Sequence, residues 1–187
     1  MRHYRWRVVP RRGALSLHAA DRGQHVRMSD GTSKYLPIYL NDHLTASTFA
    51  LELAGRAARA NRGSELGSFL AGLKLDIESD RRTLEEIMAS LDVAKDPLKR
   101  PVAWIAEKLG RLKLNGELLH HSPLSRTVEL ELLSIGIEGK RLLWLALMQT
   151  HGDRIGATRL TELVARAEEQ RAGVERHRLE TARQALS

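Results

Sequence analysis

Cysteine is absent from this 187-residue chain, and aromatic residues make up only 4% of it. The lack of cysteine excludes disulfide bonds, thiolate metal sites and cysteine nucleophiles. The scarcity of aromatic residues, together with an abundance of the helix formers Leu, Ala, Glu and Arg, argues against an all-β fold. The longest apolar run, residues 142–148, is far too short to cross a bilayer. We therefore expect no membrane span and a cytoplasmic location.

The sequence also lacks the short motifs that mark common enzyme classes. It has no glycine-rich phosphate loop, no Gly-x-Ser-x-Gly elbow and no His-Glu-x-x-His pair. No catalytic residue and no cofactor is therefore predicted, and a non-enzymatic role is favoured.

Positive charge is unevenly distributed along the chain, whose formal net charge is +7. Residues 1–27 hold seven arginines against the single acid Asp21, which leaves 23 basic and 22 acidic groups for the rest. Pro10 and Gly13 interrupt any helix in this segment. We interpret residues 1–33 as a disordered basic extension, in which residues 1–27 reflect a start site set too early, and residues 34–187 as one domain. The alternative is nucleic-acid binding through residues 1–27, with Tyr4 and Trp6 stacking on bases.

The body of the chain has the apolar spacing of long amphipathic helices. Apolar residues recur at steps of three and four from residue 36 to residue 58, which predicts the first helix. Residues 61–63 supply a stop and a left-handed turn, and Ser64 caps the second helix. The seam of the second helix consists of Leu66, Leu70, Leu73, Ile77, Asp80, Leu84, Ile87 and Leu91. A turn this short requires the two helices to form an antiparallel hairpin.

Three further helices are predicted after residue 96. A short helix over residues 98–112 follows Asp96 and Pro97, which are typical of a helix start. Ser122 and Pro123 repeat that signal for a long helix that ends near Gly152. A last long helix covers residue 157 to the C-terminus. No segment alternates with period two, so the sequence predicts an all-α fold.

Four long helices, with about 30 residues and a short helix between the second and the third, resemble the ferritin-like four-helix bundle. The resemblance covers residues 35–186, and it is to small bacterial proteins of this shape. It implies that the second and third long helices are parallel and that the short helix lies in a crossover along the bundle. The di-iron members of the superfamily use Glu-x-x-His pairs from two helices. Only Glu117 and His120 have that spacing here, in a connection, so no ferritin-type di-iron centre is expected.

A polar layer is predicted to interrupt the apolar axis of the bundle. Counting from the first turn places His43, Asp80, Glu138 and Arg171 at one height, to within about one helical turn of 5.4 Å. One interpretation is a buried cluster of ion pairs that fixes helix register, with Arg171 bound to both carboxylates. The alternative is a divalent metal (iron, manganese or zinc) held by His43, Asp80 and Glu138. Arg171 argues against the metal, because a cation repels it.

The long helix that begins at residue 123 is apolar on two faces. We expect Val128, Ile135 and Leu142 to face the core. The stripe on the opposite side consists of Leu130, Leu133, Ile137 and Trp144. This second stripe is predicted either to be covered by the crossover helix, through Trp104 and Leu112, or to bind a protein partner or a second copy of the chain. The sequence thus favours a non-enzymatic bundle that acts by protein association.

Overall fold

The computed structural model describes residues 33–96 and 122–187. Four α-helices account for most of these residues: α1 (Tyr35–Ala60), α2 (Glu65–Ser90), α3 (Pro123–Ile155) and α4 (Ala157–Leu186). The described residues contain no β-strand, which confirms the all-α prediction. None of their helices is both long enough and apolar enough to span a membrane. The basic extension, with its nucleic-acid alternative, and the short crossover helix are predictions that lie outside the described residues.

The α1–α2 hairpin is closed by a turn that the sequence largely specifies. Ser64 caps α2, and its side chain accepts a hydrogen bond of 3.1 Å from the backbone N–H of Gly67. A Cβ atom at position 67 would overlap the carbonyl oxygen of Asn61. Only glycine therefore allows α2 to begin this close to the end of α1, and the predicted hairpin is confirmed.

The α3–α4 hairpin has a different turn. Ser122 caps α3, and Pro123 occupies its first turn, as the sequence predicted. The backbone is kinked at His151 (φ −137°, ψ 17°), but helical structure continues to Ile155 rather than ending near Gly152. Gly156 then adopts φ +101°, a left-handed conformation that reverses the chain within one residue.

The apolar core consists of two clusters at opposite ends of the bundle. One joins the start of α1, the end of α2, the end of α3 and the start of α4; the other joins the four remaining halves. It follows that α2 and α3 run parallel, with α1 and α4 antiparallel to both. The closest packing is between α3 and α4 and between α1 and α2, and α1 also packs on α3. Because α2 ends and α3 begins at opposite ends, residues 91–122 connect the two ends of the bundle.

The face of α3 that points inward is the opposite of the one expected. The predicted interface residues are at most 3% exposed and belong to the core: Leu130, Leu133, Ile137 and Trp144. The predicted core residues Ile135 and Leu142 are 68% and 50% exposed. Both stripes of α3 repeat at helical spacing, so periodicity alone did not distinguish them. The interface prediction for these four residues is therefore corrected: they hold the bundle together.

Candidate functional site

A buried carboxylate lies at the centre of the bundle. Asp80 is 3% exposed and lies between Ile77 and Leu84 in the seam of α2. Arg166 Nη2 lies 2.5 Å from its Oδ1, and Gln170 Nε2 donates to its Oδ2 over 3.2 Å. Lys140 Nζ donates both to Asp80 Oδ2 and to Gln170 Oε1. We call Asp80, Lys140, Arg166 and Gln170 the central polar cluster.

The central polar cluster separates the two apolar clusters, and helix periodicity explains its composition. Lys140 follows Ile137 by three residues and precedes Trp144 by four, so it occupies an inward position of α3. Gln170 has the same relation to Ala167 and Val174 in α4. The signal that identified Asp80, a polar residue inside an apolar seam, therefore also applies to Lys140 and Gln170, which the sequence analysis missed.

Burial governs the electrostatics of the cluster. The Lys140 side chain is only 15% exposed, and desolvation lowers its pKa, an effect that the Asp80 carboxylate opposes. Burying an ammonium and a carboxylate together is tolerable because each neutralises the other and both keep hydrogen-bond partners. Arg166, whose side chain is 37% exposed, adds a second cation to Asp80 from the solvent side.

Glu138 and Arg171 are paired as predicted, but at the surface. Arg171 Nη1 lies 2.8 Å from Glu138 Oε2, and Arg141 donates two hydrogen bonds to the same carboxylate, over 2.8 and 3.0 Å. These hydrogen bonds, those from Arg141 first, lower the pKa of Glu138 to about 2. The side chains of Glu138 and Arg171 are 30% and 50% exposed. The predicted layer is corrected accordingly: Asp80 is in the core, and Glu138 is not, because α3 presents the other face inward.

His43, the third ligand of the predicted metal site, is half-buried on α1. Its ring packs edge-on against Tyr39 with 4.7 Å between centroids. Burial lowers the pKa of His43, an effect that Asp42 partly opposes, so the ring is neutral at neutral pH. The part of the chain that the structure describes holds no group of three or more His, Asp or Glu side chains able to bind one metal ion. His43, Asp80 and Glu138 are thus not brought together as a ligand set.

A cavity opens beside the central polar cluster, between α1, α2 and α3. His43, Asp80, Arg81, Lys140 and Trp144 contribute to its lining. The rest of the wall is mostly apolar. The cavity is partly open to solvent and has a volume of about 60 Å³.

Apolar side chains remain uncovered along the outer face of α3. We call this surface the α3 outer stripe. It consists of Leu124 (42% exposed), Val128, Ile135 (68%), Leu142 (50%) and Leu145 (36%). On the α4 side it is bordered by Glu131, paired with Arg178, and by Glu138, paired with Arg171. Gly139 lies beside it, and a Cβ at that position would meet no atom within 4 Å.

Comparison with known proteins returned no match for this chain. No family model matches it, and searches of curated proteins and of solved structures found no match either. The contacts and surfaces described above are therefore the basis on which its function is inferred.

Proposed function

We propose that this protein is a non-enzymatic helical bundle that acts by protein association, and that a second copy of the chain binds the α3 outer stripe. The observation that carries the proposal is the exposure of Ile135 and Leu142, at 68% and 50%, on one line of the helix. A contiguous apolar surface of this kind is typical of an interface. Isolated exposed apolar residues are common on any protein, but the stripe extends along α3 from Leu124 to Leu145.

A two-fold pairing of α3 with α3 fits the stripe. Ile135 and Leu142 lie almost equally far from Gly139, on the same face of the helix. In an antiparallel pairing that crosses there, Ile135 packs on the partner's Leu142, and the converse contact follows from symmetry. The open space beside Gly139 allows two helices to approach closely. The charges beside the stripe are paired within the chain, so docking does not bury an unpaired charge.

We also infer that the bundle is ferritin-like, with a short helix in the crossover. Support comes from the parallel directions of α2 and α3 and from the connection of opposite ends by residues 91–122. A structural rather than metal-dependent role is favoured by Lys140 and Arg166, whose charges neutralise Asp80 and would repel a metal cation.

Sedimentation velocity at micromolar concentration tests the association. We expect the wild-type protein to sediment at twice the chain mass, and Ile135→Glu combined with Leu142→Glu to sediment as a folded monomer. The matched control is Leu75→Glu, because Leu75 is 63% exposed on α2 and lies outside the stripe. This control is expected to remain dimeric.

A wild-type protein that is monomeric throughout the micromolar range would contradict the proposal. If the free energy of unfolding of that monomer also falls when Ile135 and Leu142 become glutamate, the cover for the stripe is to be sought in residues 97–121 of the same chain. Circular dichroism of each variant distinguishes dissociation from unfolding.

A further inference from the structure

One of the residues that line the cavity between α1, α2 and α3 has a hydrogen-bond donor without an acceptor. Trp144, which lines the cavity, is 1% exposed, and its indole Nε1 is buried. Within residues 33–96 and 122–187, that nitrogen has no hydrogen-bond partner. A buried donor left unpaired is destabilising and is uncommon in folded proteins. The position therefore calls for an acceptor that the described residues do not supply.

Lys140, which lines the same cavity, offers a second donor. Its ammonium group has three N–H bonds, of which two are used by Asp80 and Gln170. Lys140 and Trp144 are four residues apart on α3, so their side chains project from the same face, one turn apart. A group with two acceptor oxygens, such as a carboxylate, can accept from both.

The charges around the cavity favour an anion. Its lining carries the cations Lys140 and Arg81 and the single carboxylate Asp80, and Arg166 also pairs with Asp80 from outside the cavity. Asp42 and Asp76 act electrostatically on His43 and Lys140, but both are exposed and neither lines the cavity. Arg81 pairs with Glu85, which also pairs with Lys95. These three residues together carry a net positive charge beside the cavity.

The size and the wall of the cavity define the rest of the occupant. The cavity volume of about 60 Å³ corresponds to about four to six water positions, at roughly 10–15 Å³ each. Most of the wall is apolar: Ala50 of α1, Ile77 and Leu84 of α2, and Ile137 and Leu143 of α3. An ion with no apolar part would leave this wall in contact with water.

We propose that this cavity binds a small monocarboxylate with a short aliphatic tail. The carboxylate accepts hydrogen bonds from Lys140 Nζ and from the Trp144 indole N–H, and the tail packs among the apolar side chains of the three helices. The binding is non-covalent and independent of the α3 outer stripe, which lies on the opposite face of α3 from Trp144.

Titration of the full-length ¹⁵N-labelled protein with butyrate tests this site. The indole N–H resonance of Trp144, assigned by its absence in Trp144→Phe, is expected to shift and to saturate with a Kd in the low millimolar range or below, about what so few ligand atoms can provide. Butyramide and butylamine, which have the same tail without the negative charge, are expected to bind at least about tenfold more weakly, a loss of one charge-assisted hydrogen bond.

Variants separate this cavity from other sites on the protein. Ala50→Leu fills the cavity and is expected to abolish butyrate binding, whereas Ala71→Leu, the same change at an exposed position of α2, is expected to leave it unchanged. Trp144→Phe removes the indole donor and is expected to weaken binding about tenfold in saturation-transfer measurements. If Ala50→Leu disturbs the helix packing, Trp144→Phe and the indole shift test the site without it.

Three results would overturn the proposal. They are the absence of any shift of the Trp144 indole resonance at tens of millimolar butyrate, equal binding of butyramide or butylamine, and full retention of butyrate binding in a folded Ala50→Leu protein.

Discussion

Asp80 and Glu138 are both carboxylates bound by two cations, yet they differ in their surroundings. The side chain of Asp80 is 3% exposed and is held by residues of α3 and α4, whereas that of Glu138 is 30% exposed and is held by Arg141 of its own helix and by Arg171. Water screens the second group and not the first. Burial, rather than the number of ion-pair partners, therefore determines how much such a cluster contributes to the stability of the fold.

The largest difference between the two sites is expected when both acids are changed to their amides. Asp80→Asn leaves the charges of Lys140 and Arg166 without their counter-ion, and we expect the free energy of unfolding to fall by about 3 kcal/mol. Glu138→Gln, the matched control, is expected to cost no more than about 1 kcal/mol. Urea unfolding followed by circular dichroism measures both. Equal losses would show that burial does not distinguish the two sites.

Removing both buried charges together tests whether the ion pair itself stabilises the fold. Asp80→Leu with Lys140→Met replaces the ion pair by apolar side chains, and we expect a free energy of unfolding within about 1 kcal/mol of wild type. Lys140→Met alone, which leaves Asp80 with Arg166 and Gln170, is expected to be about 2 kcal/mol less stable than the double variant. A double variant as unstable as the single one would mean that the polar contacts are needed for stability and not only for register.

The contribution of Glu138 should depend on pH. Its pKa is lowered from 4.5 to about 2 in the folded protein by Arg141 and Arg171, so its stabilising effect is present above the unfolded value and is lost as pH falls from about 4.5 towards 2. Because the pair is partly exposed, this effect is no more than about 1 kcal/mol. Unfolding of wild type and of Glu138→Gln, compared at a series of pH values from neutral to acidic, measures it. A difference that persists unchanged at the acid end would contradict this prediction.

The smallest expected effect concerns His43, the remaining ionisable member of the predicted layer. Burial lowers its pKa below 6.5, so the unfolded chain takes up the proton first and stability falls as pH drops below that value. An NMR titration of the His43 ring, assigned with His43→Gln, should give a midpoint below 6.5. A midpoint at or above this value would indicate that Asp42 outweighs burial.

Much of the first hairpin could be predicted from sequence because its signals agree. The α2 seam has a single apolar line, and Asp80 is an unambiguous interruption of it. The cap at Ser64 is a local interaction, so it could be predicted without knowledge of any other helix. Burial of Asp80 was therefore predictable, whereas its pairing with Lys140, Arg166 and Gln170 also depends on how the distant helices α3 and α4 are rotated.

The second hairpin was harder to predict from sequence, for one physical reason. Because α3 has two apolar stripes, periodicity gives the period of the helix and not its rotation about its own axis. Placing Ile135 and Leu142 inward turned Glu138 towards the core and Lys140 away from it, since positions 138 and 140 are about 200° apart on a helix. In α4 the predicted residue was Arg171, whereas the residue that faces Asp80 is Gln170; the two positions are about 100° apart around the helix. The rotation of α3 is determined by packing against α1, α2 and α4, which a single sequence does not display.

The buried charges are divided between the two hairpins, and this affects how the hairpins pack together during folding. The acid belongs to the first hairpin, and its cations belong to the second, so neither hairpin can neutralise itself. If the hairpins packed with a shift of one helical turn, about 5.4 Å, Asp80 and Lys140 would no longer pair. Each would then lie among apolar side chains. Misaligned packing of the hairpins is therefore higher in free energy. The pairing of Asp80 with Lys140 favours one alignment among several that would bury similar apolar areas.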